Sequence, residues 1–150
     1  MSSSEPDTWF RFVRAHRCLI REIERRLAAA GLPAYAWYDA LWGLESGPGG
    51  TRRMNELADV MAIERYNLTR LIDRLEAEGL VERSRASEDG RGACASITEN
   101  GKVLRKKMWL VYESAVDELF LSQFDDQQQR FFSDALERAA SAARNSARAE

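Results

Sequence analysis

The pattern that most restricts the fold lies between residues 53 and 97, where two short apolar-striped stretches precede a glycine stop and two extended runs. RMNELADVM at 53 to 61 puts Met54, Leu57, Ala58 and Met61 on one side of a two-turn helix. A break near Ala62 follows, and residues 64 to 79 make a second helix. Turned through about 100° per residue, its Leu68, Leu71, Ile72 and Leu75 fall in one narrow apolar sector. Tyr66, Arg70 and Asp73 lie roughly opposite, flanked by Asn67, Thr69 and Arg74. One face is built for a core and the other is offered to a partner. Gly79 ends the helix as a left-handed cap. RSRASEDGRGACASIT then reads as a hairpin, with a strand near residues 81 to 85, a turn at 88 to 90 and a return strand from about 93 to 97.

Two short helices and a β-hairpin in that order make a winged helix-turn-helix, whose second helix enters the major groove of a duplex while the hairpin flanks it. The expected fold is therefore mainly α with a small β-hairpin wing. Longer helices frame it. Residues 8 to 30 carry Trp9, Phe12, Val13, Leu19, Ile20, Ile23 and Leu27 as one stripe, stopped by Gly31 and Pro33. Residues 34 to 45 face Trp37, Ala40, Leu41 and Leu44 inward before SGPGG turns the chain. Thr98 is a candidate N-cap for a helix over 99 to 124, with Val103, Leu104, Met108, Val111, Ala115, Leu119 and Phe120 in its stripe. DDQQQ starts a last helix carrying Phe131, Phe132, Ala135, Leu136 and Ala139.

At 150 residues and 45% hydrophobic content, the chain fits a single domain over residues 1 to 150. Within it, about 34 to 98 would form the winged lobe, and about 8 to 33 and 99 to 146 would be dimerisation helices. The terminal helices hold more apolar surface than a small lobe covers, so a homodimer is expected. Two-fold symmetry would present two reading helices to half-sites about 10 base pairs apart, or a multiple of that. The alternative is a monomer with all three helices folded onto its own core.

The net charge of −2 does not announce a nucleic-acid ligand. From Arg52 to Arg91, eight arginines face nine acids, so affinity for DNA would have to come from where the charges sit. Of 22 basic residues, 19 are arginine, whose planar fork suits phosphate and guanine edges; a coding bias toward arginine is the plainer account. No apolar run reaches the roughly 18 residues of a membrane span, and MSSSEPDT lacks the features of a signal peptide. A cytoplasmic protein with reduced thiols and no membrane partner is expected. Cys18 and Cys94 have no CxxC spacing, which argues against zinc.

NELADVMAIERYNLTRLIDRLEAEGLVER followed by EDGRGACASITENG resembles the MarR (multiple antibiotic resistance regulator) family of bacterial transcription factors. The carrying motifs are the ELA helix, the T-R-x-x-D-x-L-E-x-x-G-L-V run, and D-x-R followed after five residues by an aliphatic-Thr pair and a glycine. The resemblance implies a homodimeric repressor on a palindromic operator, often released by a small anionic or phenolic ligand or by thiol oxidation. It implies groove-facing roles for Arg65, Tyr66, Asn67, Thr69 and Arg70, and a wing in which Asp89 orients Arg91 toward the minor groove or phosphates. Many relatives have a second arginine where Gly90 stands and a small residue where Tyr66 stands.

Each assignment has a structural alternative. Arg65, Arg70 and Arg74 would otherwise belong to a solvated face with pairs such as Arg70 to Asp73 and Arg74 to Glu78. Asp89 and Arg91 would otherwise be an exposed turn pair worth under about 1 kcal/mol. Trp9, Phe12, His16, Trp37, Tyr38, Trp42, Trp109 and Tyr112 are candidate walls of a pocket for a flat aromatic effector, or else core and dimer interface. His16, the one histidine, is a candidate charge switch. Cys18 leaves a thiol redox sensor open, and a winged module for protein contacts alone is a further rival. No nucleophile-histidine pair, HExxH or phosphate loop appears, so neither catalytic residues nor a cofactor nor a metal is expected.

Overall fold

The computed structural model describes residues 7 to 84 and 92 to 149. It divides into two compact units, Met1–Glu113 and Ser114–Glu150. The first holds α1 (Asp7–Ala29), α2 (Tyr35–Glu45), a 3₁₀ turn at Pro48–Gly50, β1 (Thr51–Arg53), α3 (Met54–Met61), α4 (Arg65–Ala77), β2 (Val81–Ser84) and β3 (Cys94–Ile97). Helix α5 (Glu99–Leu119) begins in the first unit and ends in the second, which also holds α6 (Asp126–Arg148). No helix among the described residues is long and apolar enough to cross a membrane.

The core of the first unit follows the apolar spacing. Leu41 and Leu44 of α2, Leu57 of α3, Leu68, Ile72 and Leu75 of α4, and Ala95 of β3 are all fully buried. Each large side chain of that kind contributes about 1.5–3 kcal/mol on leaving water. The turn between α3 and α4 centres on Ala62, whose φ of 56° is left-handed, with Ile63 N donating to Ala58 O. An alanine there costs about 1–2 kcal/mol of backbone strain, which the packing of Leu57 and Leu68 on either side offsets.

The wing is a three-stranded antiparallel sheet ordered β1-β3-β2, one strand more than the hairpin expected. Thr51 pairs with Ser96 and Arg53 with Cys94, and on the other edge Val81 pairs with Ile97 and Ser84 with Cys94. Between Thr51 and Ser96 a hydroxyl pair at 2.7 Å fixes the added edge. Three residues are too few to show alternation, so β1 exists only by virtue of β3. Thr98 caps α5 as expected, its hydroxyl accepting from Gly101 N at 3.1 Å while donating to Gly79 O at 2.7 Å.

Helix α5 stops at Leu119 and not near residue 124. A 3₁₀ turn at Leu121–Gln123 follows, and Gln129 Nε2 donates to the carbonyls of Leu121 and Phe124. Asp125 then opens α6 with a reciprocal capping box, accepting from Gln128 N at 2.8 Å while its own N–H donates to Gln128 Oε1 at 3.0 Å. That cap competes successfully with continuation of α5. The apolar face of α6 is unburied within one chain: Phe131 is 64% exposed and Leu136 43%. Of the α1 stripe, only Ile23 and Leu27 are buried.

Candidate nucleic-acid interface

The face of α4 opposite its buried leucines carries Arg65, Tyr66, Asn67 and Arg70 exposed on the helix's first two turns, with Thr69 half-buried beside them. These side chains are not equally free. Arg65 Nη1 donates to Asn55 Oδ1 of α3 at 2.7 Å, which fixes the start of α4 to the preceding helix. The hydroxyl of Thr69 donates back to Arg65 O at 3.0 Å and is turned onto its own helix. The Arg70 guanidinium lies over the Tyr66 ring, 4.9 Å from its centroid. No carboxylate among the described residues pairs with Arg70 or Arg74, so the intrahelical pairs Arg70 to Asp73 and Arg74 to Glu78 do not form.

Asp73 has a different partner. Arg83 of β2 reaches back across α4, pairing through Nη2 with both Asp73 and Glu76. Its backbone N–H also donates to Glu76 Oε2, at 3.1 Å. This clasp of two carboxylates ties α4 to the wing strand β2. Helical spacing could not reveal it because Arg83 and Asp73 lie on different elements. The wing-tip residues Asp89 and Arg91 lie outside the described residues.

The clasp titrates. Arg83's N–H and guanidinium hold the Glu76 carboxyl below its usual range. A depressed carboxylate contributes stability that is complete above its unfolded value of 4.5 and is lost as pH falls through the lower folded value. Wild type and Arg83→Ala should therefore differ in thermal midpoint at neutral pH and converge as pH falls below 4.5 and through the lowered Glu76 value. Calorimetry across that range checks it; curves that stay parallel would mean the clasp is not the source.

The candidate pocket residues separate into groups. Tyr38, Trp109 and Tyr112 come together with Tyr35, which is not among the residues expected from sequence; Tyr38 and Tyr112 centroids stand 4.9 Å apart and the hydroxyls of Tyr35 and Tyr112 3.3 Å apart. Tyrosines at 35 and 38, one helical turn apart, were the available signal. Burial pushes the Tyr35 and Tyr38 hydroxyls and the Asp39 carboxyl upward, so the two phenols stay protonated donors. Trp42 packs under Arg105, whose guanidinium is 5.3 Å from the ring and pairs with Glu45 at 2.7 Å. Trp37 packs against the core. Trp9 and Phe12 contact each other at 6.0 Å and are about half exposed, and His16 and Cys18 are exposed on α1. Neither His16 nor the Trp9–Phe12 pair joins the tyrosine cluster.

Residues 31–92 match the family model described as MarR family. An uncharacterized HTH-type transcriptional regulator of Bacillus subtilis, YfiV, is 37% identical over 60 residues, which are 40% of this chain and 38% of that relative's length. The crystal structure of AbsC, a MarR family transcriptional regulator from Streptomyces coelicolor, is similar over 97% of both chains with a TM-score of 0.86 at 26% identity. Sco3205 from the same organism, a MarR family regulator crystallised in complex with DNA, gives 0.87 at 24% identity, over 95% of this chain and 93% of that one. At that identity Sco3205 speaks for the fold alone.

Proposed function

We propose that the chain is a MarR-family transcription regulator that acts as a homodimer and represses from a palindromic operator. The carrying observation is the division of α4: Leu68, Leu71, Ile72 and Leu75 are buried, while Tyr66, Asn67 and Arg70 stand exposed on the other face, beside a wing held by Arg83. Tyr66, Asn67 and Arg70 read base edges in the major groove; Arg65, Thr69 and Arg74 support the backbone contact; Asp89 orients Arg91 at the wing tip. The unburied apolar faces of α1 and α6 supply the dimer contact, since Trp9, Phe12, Phe131 and Leu136 form patches a soluble monomer rarely leaves open.

The effector is a small aromatic or phenolic ligand taken up beside Tyr35, Tyr38, Trp109 and Tyr112. Ring faces and phenol donors there suit such a molecule, and its binding would shift the separation of the two lobes so that both α4 helices no longer match their half-sites. Light scattering on the eluting protein at micromolar concentration should give twice the chain mass of 17.1 kDa. Binding to duplexes selected from genomic DNA should be nanomolar and fall steeply with salt. A stable monomer, or no binding at 100 mM salt, about physiological strength, would overturn the reading.

A further inference from the structure

We infer that Tyr66 and Arg70 act as one reading unit, selecting a guanine whose neighbouring base pair carries a C5-methyl group in the major groove; the inference rests on the DNA-binding reading above. On the α4 face, Arg65 is held by Asn55 and the Thr69 hydroxyl by Arg65 O, so neither is at liberty to read a base edge. Among the described residues no acid pairs with Arg70, and its guanidinium is set over the Tyr66 ring. A guanidinium lying over a ring keeps its N–H edge free, and that edge matches the O6 and N7 acceptors of guanine. Tyr66 is 63% exposed and one helical turn nearer the start of α4 than Arg70. One turn advances about 5.4 Å, more than a single base-pair rise and less than two. The ring therefore meets the pair next to the guanine. What that pair presents to an aromatic surface in the major groove is the thymine methyl, the one apolar group on any base edge there. The two parts depend on each other, because the ring that touches the methyl also aims the guanidinium.

The test selects tight-binding duplexes from a random pool with wild type, Tyr66→Ala, Tyr66→Phe and Arg70→Lys, then measures affinity with the selected thymine replaced by deoxyuridine. Wild type should enrich a thymine beside the guanine, and deoxyuridine should weaken it about fourfold for each half-site replaced, the worth of one buried methyl. Tyr66→Phe, which keeps the ring, should keep the response to deoxyuridine. Tyr66→Ala should ignore the replacement and also lose part of its guanine preference, with an unchanged melting temperature because the side chain is exposed. Arg70→Lys should lose guanine discrimination by roughly 5- to 150-fold at each half-site while still binding mixed-sequence DNA. A cytosine at the thymine position should bind better when C5-methylated. Wild type that binds selected DNA with no response to deoxyuridine, or Tyr66→Ala that responds like wild type, would overturn the inference. Absence of any selected sequence would overturn the DNA-binding reading instead.

Discussion

Gly101→Ala is expected to lower the thermal midpoint by about 6–12 °C, as a loss of about 3 kcal/mol would in a chain of this size. Gly101 lies in the first turn of α5, where alanine would ordinarily favour the helix by about 1 kcal/mol. Here a Cβ would collide with Leu80 O and stand 2.7 Å from Ile97 Cγ1. The Leu80 carbonyl cannot retreat, because it accepts from Thr98 N at 3.0 Å and so joins the end of α4 to the start of α5. Ile97 is tied into β3 opposite Val81. The collision is thus between three pieces of backbone-anchored structure. Gly79 supplies the control: its φ is +73° and no atom lies within 4 Å of an added Cβ, so Gly79→Ala should cost only about 1–2 kcal/mol of strain. Calorimetry on both variants separates close approach from backbone conformation. A Gly101→Ala protein as stable as wild type, or more so, would show that α5 does not pack this tightly.

That glycine marks how far the sequence was legible. Its place after the Ile97-Thr98 pair was visible as a motif, yet nothing in the spacing said that it admits the Leu80 carbonyl. What periodicity encodes was readable: the four buried residues of α4, the stop at Gly79 and the cap at Thr98 all depend on neighbours within one or two turns. What depends on distant partners was not. β1 is three residues whose register is set by Ser96 and Cys94, more than 40 positions away. Arg83 acts on Asp73 and Glu76 from another element, whereas helical spacing alone offers Asp73 to Arg70. The aromatic residues of α1, α2 and α5 look alike at helical spacing; only packing separates the tyrosine cluster from the exposed Trp9 and Phe12 and draws Tyr35 into it. The end of α5 turns on a competition between a continuing apolar stripe and the Asp125 capping box, and local hydrogen bonding prevails.

Arg70→Ala should produce the largest loss of operator affinity among the α4 substitutions. A guanidinium bidentate to guanine is worth about 1–3 kcal/mol, and a two-fold dimer makes the contact twice, so the loss on a full operator is about 2–6 kcal/mol, or roughly 30-fold to 10⁴-fold. Three comparisons make the number diagnostic. Arg65→Ala removes a side chain already committed to Asn55, so it should cost less affinity and some stability at the α3–α4 turn. Arg91→Ala, on the proposed role of Arg91 as a phosphate contact, should weaken all duplexes alike and lower the salt slope by about 1 for each phosphate left without its arginine. Arg70→Ala should spare binding to mixed-sequence DNA, because what it removes is discrimination. Fluorescence anisotropy with operator and scrambled duplexes at several salt concentrations resolves all three. If Arg70→Ala weakens operator and scrambled DNA equally, Arg70 holds phosphate and the base edges are read elsewhere on α4. If it weakens neither, the exposed face of α4 is not the surface that meets DNA.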